Sequence, residues 1–201
     1  MLFRSVATHP HSDHMGGMAK VIAAIPIGTF LAPDVVHTTN AFERMLDALE
    51  DKGLALTVAQ AGDAYTLGGA DFTVLAPSNP REDDLNNASV VLRMDFGGTR
   101  FLFTGDAEKA SEAEMLAAGG LSCDVLKVGH HGSATSTHEA FLQAVSPSVA
   151  VISCGAGNSY GHPHAETMQR LEAIGARVLR TDERGAVVLI TDGERVWFEE
   201  E

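Results

Sequence analysis

The sequence predicts an α/β fold in which sheets are covered by helices. Short apolar runs rich in Val, Ile, Leu and Phe alternate with runs whose apolar residues recur every three or four positions. Gly and Pro stand at many of the junctions between them. A chain of 201 residues with 45% hydrophobic residues is long enough for one sizeable core, so a single domain over residues 1–201 is expected.

Residues 4–8 read as a short strand entering a histidine-rich loop, 17–24 as a helix stopped by Pro26, and 27–31 as a strand. A helix over 40–52 follows from the spacing of Phe42, Met45, Leu46 and Leu49, with Gly53 ending the run. Strands at 54–58, 64–67 and 72–75 are broken by Gly and Pro. Residues 89–96 and 100–104 form a hairpin about Gly97-Gly98. A helix over 107–118 stops at Gly119-Gly120, and 124–128 is a continuous apolar strand. A helix over 137–145 ends before Pro147, 149–153 is a buried strand, and a helix over 165–174 closes at Gly175. Strands at 177–179, 186–191 and 195–199 finish the chain, the last two turned by Asp192-Gly193.

No run approaches eighteen apolar residues, so the chain itself is expected to be soluble and to make no membrane contact. Residues 1–7 are too short and too soon polar for a secretory signal. Cellular location stays open. Cys123 and Cys154 sit in apolar runs and read as buried free thiols, compatible with a reducing compartment.

The segment His9-Pro10-His11-Ser12-Asp13-His14, followed by Gly16-Gly17, places three imidazoles and a carboxylate within six residues. These are ligands of Zn²⁺, Mn²⁺ and Fe. In an extended run His9, His11 and Asp13 point to one side, and His14 opens a helix toward a second ion. His9 with His11, and Asp13 with His14, would then make a paired-metal site. The plainer alternative is a solvated histidine loop or the remnant of a tag. A net charge of −13 argues against a basic nucleic-acid patch. It does not exclude a phosphodiester, since two divalent ions add about four positive charges at one spot.

Further along, Asp106 follows a strand and Gly105, and reads either as a site carboxylate or as the cap of the helix beginning at Ala107. His130 and His131 end an apolar strand ahead of Gly132-Ser133. Either one of them binds metal, with His130 favoured, while the other orients a leaving group or donates a proton, or both are loop histidines satisfied by hydrogen bonds. Asn158 and Tyr160 either touch a phosphate or sugar or brace their loop. Lys127 either approaches an anionic substrate or is solvated. His37 and His138 fall outside these motifs and read as surface residues.

His-x-His-x-Asp-His resembles the motif of the metallo-β-lactamase fold hydrolases. Phe101-Leu102-Phe103-Thr104-Gly105-Asp106, Leu126-Lys127-Val128-Gly129-His130-His131-Gly132-Ser133 and Asn158-Ser159-Tyr160-Gly161-His162-Pro163-His164 resemble one branch of them. That branch is the C-terminal domain of ComEC-type competence proteins, which act in DNA uptake, and its free-standing relatives. The resemblance covers nearly the whole chain. It implies a four-layer αβ/βα sandwich with metals at one edge. It also implies that Asp106 bridges two metals, that His162 closes the site, and that His164 caps or begins the helix from Ala165. The implied ligands are His9, His11, Asp13, His14, Asp106, His130 and His162, holding one or two divalent ions, Zn or Mn. Asp13 and His131 are the catalytic candidates, His131 as general acid or leaving-group stabiliser. The implied reaction is hydrolysis of a small-molecule or nucleic-acid phosphodiester, DNA included, by a metal-bound hydroxide.

The chain departs from the pattern twice. Only eight residues precede His9, where relatives place several strands and an Asp-Gly loop, so the domain is expected to lack its N-terminal strands. An upstream membrane domain in a full-length protein is the corresponding partner. About twenty residues ahead of Asp106, where hydrolytic members carry a histidine, stands Asn86-Asn87-Ala88-Ser89. One metal position then has fewer ligands and binds weakly, prefers Mn²⁺ or stays empty, and a β-lactam substrate is disfavoured. The rival readings are a phosphocholine esterase-like hydrolase and a non-catalytic, degenerate metal-binding or interaction module.

Overall fold

In the computed structural model, which describes residues 3–199, two sheets lie face to face between two groups of helices. The ends of the expected domain, 1–2 and 200–201, lie outside the described residues. The first half comprises β1 (Phe3–Val6), α1 (Ser12–Met15), α2 (Met18–Ala24), β2 (Ile27–Ala32), α3 (Asn40–Asp51) and β3 (Leu56–Val58). Its strands form a parallel sheet in the order β1-β2-β3. Alternation along β2 sets the layering. Phe30 and Ala32 pack with Met15, Ile22, Phe42 and Met45 on the helical side, while Leu31 turns to the other face.

The second half begins with the antiparallel strands β4 (Ala64–Leu67), β5 (Ala70–Ala76), β6 (Val91–Phe96) and β7 (Thr99–Phe103). It continues through α4 (Lys109–Ala118), β8 (Val125–Lys127), α5 (Glu139–Val145), β9 (Val149–Ile152), α6 (Ala165–Ala173) and β10 (Arg177–Arg180). Together these strands make a seven-stranded sheet in the order β10-β9-β8-β7-β6-β5-β4, in which β7 to β10 run parallel. Leu102, Leu126, Ala150 and Ile152 meet Met115, Phe141, Leu142 and Leu171 of the covering helices. Each such side chain withdrawn from water contributes about 1.5–3 kcal/mol. Leu31, Val74 and Val90 join the two sheets. The layers therefore run helix, sheet, sheet, helix. The chain closes with α7 (Thr181–Arg184) and the hairpin β11 (Leu189–Thr191) and β12 (Val196–Phe198).

Most predicted elements are present, with instructive shifts. The expected helix over 107–118 begins only at Lys109, because Asn87 reaches in from another segment. Its side-chain oxygen accepts from the N–H groups of Glu108 and Ser111, both at 3.0 Å. Asp106 is therefore not the cap. Leu46, placed in the apolar stripe of α3, is exposed, and burial falls on Ala41, Phe42, Met45 and Leu49. The helix expected to open at His14 already begins at Ser12 as α1, and the short helix α7 has no counterpart in the expected elements. Among the described residues no helix is long and apolar enough to cross a membrane.

One consequence of this topology decides where chemistry occurs. The carboxyl ends of β1, β7, β8 and β9 lead to His9, Asp106, His130 and Ser153-Cys154 respectively. Loops beyond the carboxyl ends of parallel strands are where α/β proteins assemble ligand sites.

Candidate metal centre

The chain leaves β1 through Thr8 and buries His9 completely. His11 is still extended, at φ −75° and ψ 147°, and α1 starts at the next residue. The N–H groups of His14 and Met15 both bond to His11 O, at 3.0 and 2.9 Å. The extended run thus ends at His11. Asp13 and His14 reach the site from a helical turn, not from the strand alternation expected for Asp13.

Asp106 is the hub. It is 2% exposed, and its Oδ2 lies 3.2 Å from His14 Nε2, 3.6 Å from His9 Nε2, 3.6 Å from His131 Nε2 and 3.8 Å from His130 Nε2. Its Oδ1 is buried without a hydrogen-bond partner. Gly105 makes the approach possible: φ is +54°, and a Cβ there would press on Ser89 and Thr8 at 3.0–3.1 Å. Burial by itself would raise the Asp106 carboxyl. The hydrogen bond and charge of His14, with His9 and His131 behind it, override burial and hold it below the usual carboxylate range.

Burial favours the neutral form of three of the imidazoles. Burial, reinforced by His14, pushes His9 down to about 3. Burial also lowers His11 and His162. Four of the rings turn Nδ1 to an outer partner and Nε2 inward, His14 Nδ1 facing Thr8 Oγ1 at 3.3 Å. His9 Nδ1 faces Thr8 Oγ1 at 3.1 Å and Ser89 Oγ at 3.3 Å. His131 Nδ1 donates to Ser153 O at 2.7 Å, and His130 Nδ1 to Glu108 Oε1 at 2.9 Å. Outer partners of this kind fix the tautomer that leaves Nε2 free.

Two pairs of ring nitrogens then face each other at 3.0 Å: His9 Nε2 with His11 Nδ1, and His14 Nε2 with His131 Nε2. Two nitrogens so placed either share a proton or flank a cation. Donor atoms of Asp13, His14, Asp106 and His131 all lie within 4.8 Å of one another. Asp13, although 64% exposed, places Oδ2 at 3.3 Å from His131 Nε2 and 3.5 Å from His14 Nε2. Imidazole nitrogens with carboxylate oxygens suit Zn, Mn or Fe, and the orphaned Oδ1 of Asp106 is the acceptor such an ion would satisfy.

His130 and His131 occupy the left-handed region, at φ 46° and 55°, which non-glycine residues rarely adopt. Gly132 beside them has φ +85°, and a Cβ there would sit 2.7 Å from Pro163 Cβ. The turn is held from behind. His130 N–H donates to Gly105 O at 3.2 Å, and buried Glu112 takes the N–H groups of Thr137 and His138. This backbone aims both rings inward and brings His131, not the favoured His130, into the four-donor group. His162 stays on the rim, with its ring 5.6 Å from that of His130 and 6.2 Å from that of His131.

Other expectations are redistributed. Lys127 is half-buried and lies outside the cavity lining, its Nζ donating to Val128 O and Gly105 O at 3.0 and 3.4 Å. His138 is a brace bonded to Glu112 at 2.8 Å. His37 is half-buried, 6.4 Å from the His11 ring. Cys123 is buried, whereas Cys154 is partly exposed, lines the cavity and donates to Asp182 at 3.2 Å. His164 sits at the N-cap position of α6 without capping it, and its Nδ1 accepts from Ala134 N–H at 2.9 Å. Sequence reasoning missed Glu108 and Ser89. Ser89, in the segment where a histidine was sought, contacts His9 and accepts the Asp106 N–H at 3.0 Å. The donors open onto a cavity of about 490 Å³ whose lining includes no Lys or Arg.

The family described as the Metallo-beta-lactamase superfamily matches residues 6–156. The chain is 37% identical over 183 residues to ComE operon protein 3 of Bacillus subtilis (strain 168), covering 90% of this chain and 24% of that protein. It is 36% identical over 188 residues to Competence protein ComA of Neisseria gonorrhoeae, covering 92% of this chain and 25% of that one. It thus spans about a quarter of the length of these relatives. Among solved structures it is similar to the metallo-beta-lactamase fold protein YhfI from Bacillus subtilis. That similarity has a TM-score of 0.55 at 12% identity, over 98% of this chain and 77% of that one, and speaks to the fold alone. The chain belongs to the metallo-beta-lactamase superfamily and is homologous to competence proteins.

Proposed function

We propose that this member of the metallo-beta-lactamase superfamily is a metal-dependent phosphodiesterase, with nucleic acid as its substrate class. The observation that carries the reading is convergence. Residues 9–14, Asp106 and His131, remote in sequence, bring their donor atoms together at the mouth of one cavity. In this reading Asp13, His14, His131 and Asp106 hold one ion. His9, His11 and Asp106 hold a second at a position one donor short, since Ser89 stands where a further histidine was sought. When bound, divalent ions supply an activated water and draw charge from the phosphate.

The chain's own residues account for the rest. The cavity wall carries Asp13 and Asp106 and no cationic side chain, so an anionic phosphodiester is repelled unless ions offset those carboxylates. Glu108 accepts from His130 Nδ1 and is itself fixed by Asn86 at 3.1 Å and Thr135 at 2.7 Å. With Nδ1–H on the Glu108 carboxylate, His130 presents Nε2 to the cavity in a set orientation and, in its imidazolium form, gives the Nε2 proton to the departing oxygen and returns to the neutral ring. In this reading His130 and His131 trade the roles expected of them.

The test is reloading of chelator-treated protein with Mn²⁺ or Zn²⁺, reading bound metal and hydrolysis of bis(4-nitrophenyl) phosphate together. Turnover that rises with bound metal and disappears in His11→Ala is expected. A folded protein that takes up no metal and hydrolyses nothing overturns the reading in favour of an interaction module. Hydrolysis confined to phosphocholine esters replaces the substrate class.

A further inference from the structure

Beyond the donors, the outer rim of the cavity is one loop, 155–163. At its tip Tyr160 is 78% exposed, more than any other large apolar or aromatic side chain among the described residues. Single exposed aromatics are common on protein surfaces. This one, however, lines the cavity and is built into it. Its ring lies on His162, with centroids 5.7 Å apart and planes 21° apart, and His162 lies on His131 at 6.2 Å and 18°. The backbone beneath is pinned. Asn158 Nδ2 donates to Gly155 O at 2.9 Å and His162 O at 2.6 Å, and Asn158 Oδ1 accepts the His162 N–H at 3.0 Å. His164 Nε2 bonds Tyr160 O at 3.1 Å. The ring is a fixed shelf separated from the candidate metal donor His131 by one ring, His162, with its outer face open.

We propose that Tyr160 is a stacking platform for a nucleobase adjacent to the scissile phosphate, and that the substrates are nucleotidyl phosphodiesters bearing an unpaired base. The proposal deepens the phosphodiesterase reading and rests on it. With no Lys or Arg lining the cavity, affinity for the sugar-phosphate backbone is weak, and recognition falls to the base face. A flat shelf suits that face. A quaternary ammonium calls for several ring faces closing around it, as in an aromatic cage. Here a single ring is offered, and the other tyrosine, Tyr65, lies beneath Arg4 in a separate cavity. Bases inside a duplex have both faces covered by their neighbours, which leaves unpaired or terminal bases as the partners.

The experiment measures binding apart from turnover. Fluorescence anisotropy of the intact chain, with and without Mn²⁺, follows a labelled oligothymidylate carrying non-hydrolysable linkages and an abasic oligomer of the same length. Tyr160→Ala weakens oligothymidylate binding about tenfold, the low-to-middle range for one base on one ring, and Tyr160→Phe restores most of it. The abasic oligomer binds the native chain and both variants alike. Unchanged affinity in Tyr160→Ala, or equal losses for both oligomers, overturns the platform, as does failure of the native chain to bind oligothymidylate. A Tyr160-dependent complex whose cleavable counterpart is never hydrolysed with metal present refutes the phosphodiesterase reading instead. Hydrolysis that ignores position 160 refutes the platform alone.

Discussion

The inner wall of the cavity and its rim are built on opposite principles. The inner wall presents Asp106 and His131, backed by buried His9 and Ser89 at strand ends, with His14 directed onto the same carboxylate. The rim consists of Asp13, His162 and Tyr160, on turns and loops open to solvent. Buried polar groups are tolerated only when satisfied, and Asp106 Oδ1 is not. The inner wall is therefore suited to a cation. The rim, with spare exposed faces, is suited to contacts with whatever enters the cavity.

The comparison breaks first on pH. His9 is neutral in the fold because its pKa is lowered from 6.5 to about 3, so between those values the unfolded chain binds a proton that the folded chain refuses. The contribution is complete above pH 6.5 and is lost as pH falls toward about 3, and the depressed Asp106 carboxyl acts in the same direction. At about 1.4 kcal/mol per unit the loss is on the order of 5 kcal/mol, comparable with the stability of a whole domain. Guanidinium unfolding of chelator-treated protein across this window is expected to show that decline. A flat profile contradicts a neutral, buried His9.

Next in size is Asp106→Asn, expected to abolish stoichiometric metal binding and to lower turnover by more than about 10²-fold, beyond the loss typical of a supporting residue. Metal content by mass spectrometry and steady-state rates check it together. Glu108→Gln is expected to reduce kcat about 10²-fold with bound metal unchanged, since it loosens a proton donor and not a ligand. Ser89→Ala is expected to weaken metal binding by about 10-fold, through the orientation of His9 and Asp106. Smallest is His162→Ala, whose effect on metal affinity stays below that of Ser89→Ala, because its ring lies outside the four-donor group. Competitive chelator titration ranks these last two, and a reversed order would erase the distinction between wall and rim.

The same distinction explains what could be read from the sequence. The group from His9 to His14 was legible because its donors are neighbours in the chain, although the helical turn that presents Asp13 was not. Asp106 rested on a resemblance, since strand-Gly-Asp alone equally describes a helix cap. What overturned the cap was Asn87, which occupies it from a distant loop. The order of His130 and His131 depends on left-handed backbone at both, which no side-chain pattern announces. Glu108 and Ser89 act only through partners 17 to 80 residues away, so nothing local marks them. The layer order, likewise, came from the resemblance, whereas sheets covered by helices were legible in the residues themselves, from the apolar runs of β8 and β9 and the three- and four-residue spacing in α3.

Anomalous diffraction from crystals soaked in Mn²⁺ or Zn²⁺ locates the ion itself. A peak is expected in bonding contact with Asp106, His14 and His131, with any second and weaker peak beside His9 and His11. A fully soaked crystal whose only peaks lie away from Asp106 would contradict that placement.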